Sequence, residues 1–105
     1  MLHTYLAKCE RETQPRALRI LKMELREMHG EDGTPFFICY ELLFSHPGAY
    51  SIYLSKIKAG KTEEERLLYN FSTDEVLAFQ IYFALVHGGV TPCTAKDVLI
   101  DLLSA

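Results

Sequence analysis

The side chains best suited to chemistry in this chain are a cysteine and a histidine near its C-terminal end. Cys93 stands just ahead of a segment that looks helical, and a thiol at a helix N-terminus can act as a nucleophile. His87 is the local candidate for the base that such a nucleophile needs. Structural roles explain both residues more simply, because Cys93 fits a buried staple position and His87 fits the negative end of a helix dipole. The sequence therefore predicts no catalytic residue.

The remaining motifs with chemical potential also favour ordinary structure. Gly60-Lys61-Thr62 matches the end of a phosphate-binding loop, but Ser55 stands where that pattern needs glycine, so we interpret it as a solvated hairpin loop. Asp97 and Asp101 are four residues apart and predict an acidic, solvated helix face. No metal or cofactor site is predicted, because the cysteines are far apart and the histidines are scattered over the chain at His3, His29, His46 and His87.

Composition indicates a globular protein with an acidic C-terminal half. The chain has 105 residues, 49% of them hydrophobic and 24% charged, which predicts a single globular domain over residues 1–105. Its predicted strands and helices make this an α+β domain. The net charge is −3, and residues 62–105 contain seven acids against only Arg66 and Lys96. Neither half contains the basic field that a phosphate backbone requires, so nucleic acid is not an expected partner.

The chain also predicts neither export nor a membrane anchor. Residues 1–8 lack the basic start and sustained apolar stretch of a secretory signal. The most apolar run, Val76 to Val86, is about half of the roughly 20 residues that cross a bilayer. Cys9, Cys39 and Cys93 form an odd set at long spacings, which is typical of reduced thiols. We therefore expect a cytoplasmic protein that does not contact membranes.

Period-two alternation predicts a run of strands in the middle of the chain. Phe36 to Phe44 alternates apolar and β-favouring residues most clearly. A turn at His46-Pro47-Gly48-Ala49 and renewed alternation from Tyr50 to Ser55 predict a hairpin. The segment Arg66 to Phe71 predicts another strand, which leads the chain into the first helix.

Two N-terminal segments admit alternatives. Leu18 to Met28 fits both a helical stripe and a strand alternation, and we predict a strand because the turn-rich residues 29–34 then join it to the strong strand that follows. Residues 1–16 either form an edge strand from Tyr5 to Cys9 or stay loose.

The last third of the chain predicts two helices. Ser72-Thr73-Asp74-Glu75 fits a capping box, with Phe71 and Val76 at the staple positions. The apolar run that follows predicts a helix buried nearly all round, which ends at His87-Gly88-Gly89. A second, amphipathic helix begins at Thr94 or, alternatively, at Thr91-Pro92. The expected fold class is α+β: an antiparallel β-meander of about four strands followed by a C-terminal helical hairpin packed on one sheet face.

The order of these elements resembles a family of small uncharacterised proteins from Firmicutes, known as a domain of unknown function. The similarity spans mainly residues 66–103, on the Ser-Thr-Asp-Glu helix start, on Gly89-Val90-Thr91-Pro92 and on the segment Asp97 to Leu103. The resemblance implies an α+β fold and a bacterial cytoplasmic setting. It brings no established activity, substrate or catalytic residue.

Two functional hypotheses follow from this architecture. Helices on one side of the sheet leave the other face open, so we expect Phe37, Cys39 and Leu43 to be exposed there and to bind a protein partner or a second copy of the chain. Gln80 and Tyr82, on the least apolar stripe of the first helix, form a second candidate interface. The alternative is a small-molecule-binding protein or minor enzyme with a pocket between sheet and helices; its candidate residues are Tyr40, Tyr53, His87 and Cys93.

Overall fold

The structure is a computed structural model that describes residues 18–104. These residues form four strands followed by two helices, which confirms the predicted α+β class. The prediction for residues 1–16 lies outside the described residues. The elements are, in chain order, β1 (Arg19–His29), β2 (Pro35–Ser45), β3 (Ala49–Lys58), β4 (Lys61–Ser72), α1 (Glu75–His87) and α2 (Pro92–Ser104).

The four strands form one antiparallel meander in the order β1-β2-β3-β4. The ambiguous segment Leu18 to Met28 is therefore a strand, as predicted. Its helical propensity is overridden because pairing with β2, from Arg19 opposite Phe44 to His29 opposite Pro35, satisfies its backbone along one edge. The outer members of the sheet are β1 and β4.

The turn between β3 and β4 excludes a phosphate-binding loop at Gly60-Lys61-Thr62. Lys58 pairs directly with Lys61, and the two residues between them have positive φ angles, 52° at Ala59 and 76° at Gly60. Two consecutive left-handed residues are typical of the tight hairpin turns that match the twist of a sheet. The prediction of a hairpin is thus confirmed, but only Gly60 lies in its loop, since Lys61 and Thr62 already belong to β4.

Irregular pairing interrupts β4 on both sides of a regular central stretch. The register with β3 shifts beyond Leu68 and again before Glu64, while Glu64 to Leu68 pair in sequence with Lys56 to Ile52. Such irregularities twist a strand and limit further pairing. The regular part of β4 is therefore five residues long, and it lies between two distorted ends.

The first helix begins two residues later than the capping box predicts. Asp74 is the N-cap and its side chain accepts a hydrogen bond from the Leu77 amide at 3.2 Å. Ser72, the last residue of β4, instead accepts from the Asp74 amide at 3.0 Å. The capping-box assignment is wrong because the strand continues through Ser72, and the carboxylate of Asp74 is then the nearest acceptor for the first turn.

The second helix begins at Pro92, which confirms the alternative start and corrects the one at Thr94. Proline suits the first helical position because its missing amide hydrogen would have no partner there. The Thr94 amide donates to the Thr91 carbonyl at 3.2 Å, so Thr94 already lies in the first turn. Cys93 is consequently exposed at the start of the helix, and the prediction that it is a buried staple residue is wrong.

Both helices pack on one side of the sheet, which we call the helix face. The core joins alternate residues of the central strands to the inner sides of α1 and α2. Its fully buried members include Ile38, Tyr40, Leu42, Ile52, Leu54, Tyr82, Leu85 and Ala95. Tyr82 donates a hydrogen bond to the Tyr40 carbonyl at 3.1 Å, so a helix side chain is tied to the backbone of β2.

Helix α1 is not buried all round, contrary to the expectation from its apolar sequence. Val76 is 66% exposed and Phe83 is 37% exposed on its outer side. Val76 therefore does not act as a staple with Phe71. The Phe83 ring is partly covered by Lys22, whose ammonium lies 5.2 Å from the ring centroid. An apolar sequence alone does not bury a helix, since only one side of α1 meets the sheet.

The opposite side of the sheet, which we call the second face, also differs from its prediction. Phe37 is 36% exposed there, but Leu43 has no exposed surface and Glu41 is 1% exposed. Neither α1 nor α2 packs on this face, and yet the side chains at its centre are buried. The expectation of an open, solvated face is therefore wrong for Leu43 and for Glu41, and it holds for Phe37 and for the outer strand β1, where Met23 and Leu25 are exposed.

Candidate functional site

A cleft along the outer edge of β4 lies between this strand and helix α2. Its volume is about 350 Å³. The strand supplies Arg66, Leu67, Leu68, Tyr69 and Phe71, and the helix supplies Lys96, Leu99 and Leu103. The lining is apolar apart from the two cationic side chains and the Tyr69 hydroxyl. A surface of this composition suits a ligand that has both apolar groups and negative charge.

Arg66 and Lys96 are the only arginine and lysine in residues 62–105, and both line this cleft. Both side chains are exposed. Within the described part of the chain, neither forms an ion pair with a carboxylate. Two cations that lie together in an acidic region, with no carboxylate partner among residues 18–104, are available to an external anion.

The backbone of β4 contributes a second feature of the cleft. Within residues 18–104 this strand pairs with β3 alone, so the hydrogen-bonding groups on its other edge meet no strand. Leu67 and Leu68 both line the cleft although consecutive strand residues point to opposite faces. The cleft therefore runs along the edge of the strand and includes its free backbone.

A smaller cleft of about 220 Å³ adjoins the first one. Arg66 lines both, and the smaller cleft adds Glu64, Glu65, Pro92 and Cys93. Charge thus changes sign along β4, from acids at Glu63 to Glu65 to the base at Arg66. Cys93 interacts with the Thr91 hydroxyl, 3.4 Å from its sulfur, and with no histidine among residues 18–104, so the structure contains no Cys93–His87 pair.

The residues expected to form an interface fall into two groups. Phe37 and Gln80 are exposed, and Cys39 is half-buried. Leu43 and Tyr82 have no exposed surface and cannot contact a partner as placed. Leu43 lies at the buried centre of the second face, and Tyr82 faces the sheet because its hydroxyl finds its acceptor there. These two assignments are corrected: both residues belong to the interior.

The four expected pocket residues do not come together. Tyr40 lies on the helix face, where its hydroxyl donates to the Val90 carbonyl at 2.9 Å and burial raises its pKa to about 12. Tyr53 lies on the second face and donates to the Glu65 carboxylate. His87 is exposed at the end of α1, and Cys93 borders the smaller cleft. A pocket built from all four residues is therefore excluded by the sheet that separates the two tyrosines.

Arg26 performs the role that the sequence suggested for His87. Its Nη1 donates to the carbonyls of Val86 and His87, at 2.7 and 3.1 Å. These are the C-terminal carbonyls of α1, which a cation stabilises. No local pattern marks Arg26 for this role, because 60 residues separate it from Val86. The pairing of β1 with β2 carries it to the end of the helix.

Glu41 is an ionisable residue whose buried surroundings disfavour its charged form. Its Oε1 atom has no hydrogen-bond partner among residues 18–104, and burial raises the pKa of the carboxyl from 4.5 to about 7. The nearby Cys39 thiol is also affected: its partial burial, together with the Glu41 charge, raises its pKa to about 11. A carboxyl of this kind is a candidate for pH-dependent stability.

We expect the two described cysteines to differ strongly in reactivity toward a thiol reagent. Cys93 is exposed, whereas the raised pKa of Cys39 lowers its thiolate fraction near neutral pH by roughly 100-fold. The test compares labelling of the Cys9→Ser/Cys39→Ser and Cys9→Ser/Cys93→Ser variants. Cys93 should label rapidly in the folded protein, and urea should bring the two rates together. Equal rates without urea would show that Cys39 is as accessible as Cys93.

Residues 18–104 lack two features, a cluster of metal ligands and a membrane-spanning helix. No set of three His, Cys, Asp or Glu side chains is grouped as metal ligands would be. Neither described helix has the length and hydropathy needed to cross a bilayer. Comparison of the chain with protein-family models, with curated proteins and with solved structures finds no match. Any function proposed for the cleft between β4 and α2 therefore rests on the residues that line it.

Proposed function

We propose that this protein is a non-enzymatic interaction module that binds an acidic, partly apolar segment of another protein in the cleft between β4 and α2. The observation that carries the proposal is that Arg66 and Lys96 line one otherwise apolar cleft, along an edge of β4 that meets no other strand within residues 18–104. Apolar contacts supply affinity in such a site, and the two cations select for negative charge.

The position of the site favours a protein segment over self-association through the second face. The centre of that face is buried, which leaves Phe37 and a few side chains of the outer strand as its exposed apolar surface. The cleft, in contrast, combines exposed charge, apolar surface and free backbone in one place. A segment of a partner can use all three features at once.

A random-peptide display library, selected on the immobilised full chain, provides the probe for this proposal. We expect enriched peptides to be acidic and to contain apolar residues. Their affinity, measured by fluorescence anisotropy, should fall at least tenfold, or by about 1.4 kcal/mol, in the Arg66→Glu/Lys96→Glu variant, because two attractive contacts become repulsive. Affinity for the unchanged protein should also fall as salt is added.

Lys61→Glu is the matched control for these charge reversals. Lys61 is an exposed base on β4 that does not line the cleft, so its reversal changes net charge as much as one of the test substitutions does. We expect it to change affinity less than twofold, since surface charges at a distance are largely screened. Peptides that bind the double variant as well as the original protein would contradict the proposal. Failure of the library to yield any binder would contradict it too.

A small apolar anion is the second candidate occupant. The volume of about 350 Å³ lies near the lower end of the roughly 300–1,000 Å³ typical of ligand pockets. Native mass spectrometry of gently purified protein distinguishes the two candidates. A ligand-free protein that binds selected peptides supports the interaction module, whereas added mass that the Arg66→Glu/Lys96→Glu variant loses would assign the cleft to a small molecule.

A further inference from the structure

We infer that the partner segment binds in an extended conformation as a fifth strand on β4, with an acidic and a large apolar residue two positions apart. This inference rests on the proposed function and specifies how the cleft recognises its occupant. Addition of a strand to a free sheet edge is a recurring mode of peptide recognition, in which the backbone supplies affinity and alternate side chains supply specificity.

The first support is the shape of the edge. Only Glu64 to Leu68 pair regularly with β3, and the register shifts at both ends of this stretch. Regular pairing on one side of a strand gives its other side evenly placed donors and acceptors, whereas irregular ends disrupt them. The edge therefore accepts a short strand of about five residues and resists longer pairing.

The second support is the pattern of side chains along this stretch. Arg66 pairs with Leu54, and Leu68 pairs with Ile52, so both project toward the helix face. Lys96 and Leu99 reach the cleft from α2 on the same side. In an added strand, the residue beside Arg66 meets positive charge, and the residue two positions away meets Leu68 and Leu99.

Charge complementarity then fixes the side-chain types. Opposite charges on neighbouring strands attract, and like charges repel. The position beside Arg66 and Lys96 favours Asp or Glu, and the position beside Leu68 favours a large apolar side chain. Glu64 projects to the same side two residues before Arg66, so it disfavours a second acid there. The recognised pattern is acidic-x-apolar, in either direction along the partner. On the other side of the acid, the residue two positions away lies beside Glu64 and is therefore neutral or basic.

The other free edge of the sheet lacks this combination. Strand β1 places Lys22, Glu24 and Arg26 on its helix face, where charges of both signs alternate. Arg26 is already engaged by the carbonyls at the end of α1. A row of charged side chains without an apolar neighbour protects an edge from unwanted pairing, whereas β4 places Leu68 beside Arg66. Strand addition is therefore specific to β4.

Backbone N-methylation of a selected peptide tests the extended mode. A strand that pairs with one neighbour uses the amides of alternate residues, so methylation of one alternate set should weaken binding at least tenfold. Methylation of the other set, which faces solvent, is the matched control and should change affinity less than threefold. Equal effects of the two sets would overturn strand addition while leaving the proposed binding function intact, and no binding by the unmethylated peptide would overturn both.

A charge exchange tests the acidic-x-apolar register. Replacing the acid of the peptide by lysine should weaken binding to the original protein at least tenfold, and Arg66→Glu should restore at least part of that loss. Such rescue identifies Arg66 as the neighbour of that residue. If Arg66→Glu weakens the acidic and lysine peptides alike, the register is wrong.

Discussion

Replacing Glu41 by glutamine should stabilise the protein at pH 8 and should remove most of the loss of stability between pH 5 and pH 8. The carboxyl is 1% exposed, and its Oε1 atom has no hydrogen-bond partner in the described part of the chain. Burial therefore penalises the ionised form and raises the pKa from 4.5 to about 7. Glutamine has nearly the same shape as the protonated acid, and it does not ionise.

The sign of the effect follows from proton linkage. The folded state binds the Glu41 proton more tightly than the unfolded state, so this group contributes its full stability below pH 4.5 and loses it as the pH rises through about 7. The difference between a pKa of 4.5 in the unfolded state and about 7 in the folded state corresponds to roughly 3 kcal/mol of lost stability at pH 8. That is a large share of the roughly 5–15 kcal/mol by which most domains are stable.

Urea unfolding at pH 5 and pH 8 measures this effect. We expect the Glu41→Gln variant and the original protein to have similar free energies of unfolding at pH 5 and to differ by roughly 3 kcal/mol at pH 8. Glu31→Gln is the control, because Glu31 is exposed in the turn between β1 and β2. If the Glu41→Gln variant shows the same pH dependence as the original protein, Glu41 is not a buried acid with a raised pKa.

Replacing Arg26 by alanine should lower the free energy of unfolding by about 3 kcal/mol, since hydrogen bonds to a charged group contribute roughly 1.5–3 kcal/mol and the guanidinium also opposes the helix dipole. A single nitrogen of Arg26 donates to both Val86 and His87. The turn after α1 is packed closely around it: a Cβ at Gly89, where φ is 61°, would lie 2.7 Å from Met28 and 3.4 Å from Arg26. Loss of the side chain removes both hydrogen bonds, so that the Val86 carbonyl keeps only its backbone donor from Gly89, and it opens this contact.

Glu27→Ala is the matched control for the Arg26 substitution. Glu27 is the next residue of β1, is exposed, and projects to the second face. We expect its replacement to change stability by less than about 0.5 kcal/mol, as surface substitutions usually do. Arg26→Lys should fall between the two, because an ammonium keeps the charge but is less suited to reach both carbonyls. Equal stability of the Arg26→Ala and Glu27→Ala variants would show that β1 does not stabilise the end of α1.

The strands could be predicted because each shows a local pattern that agrees with its pairing. Alternation from Phe36 to Phe44 marks β2 directly, and the turn residues on both sides of it place β1 and β3 as its neighbours. For β1, the order of turns and strands correctly predicts a strand, whereas its residue propensities favour a helix. The start of α1 was misplaced because Ser72 and Asp74 are both good caps, and only the length of β4 decides between them.

Burial was harder to predict than secondary structure, as α1 and the second face demonstrate. The sequence of α1 is apolar on all sides, so no local pattern shows which side contacts the sheet. The structure leaves Val76 and Phe83 exposed on the side away from the sheet. Conversely, a glutamate within an alternating strand is typical of a solvated face, yet Glu41 is buried. Both errors arise because the side that faces water depends on what packs against an element.

The candidate site was missed because its residues come from distant parts of the chain. Arg66 and Lys96 are 30 positions apart, and they line one cleft only because α2 packs beneath the free edge of β4. One signal was present in the sequence: they are the only arginine and lysine in an acidic region of 44 residues. Isolated bases in an acidic segment are therefore informative when the topology places them on neighbouring elements.

Amide chemical-shift mapping of the isotopically labelled full chain with a selected peptide is the most direct test of the cleft as the binding site. We expect the largest shift changes at Glu64 to Phe71 and at Lys96 to Leu103, with Gln80, Phe83 and the exposed residues of β1 unchanged. The Arg66→Glu/Lys96→Glu variant should show no changes at the same peptide concentration. Shift changes centred on the outer side of α1 or on Phe37, with β4 unaffected, would contradict the assignment and place the binding surface elsewhere.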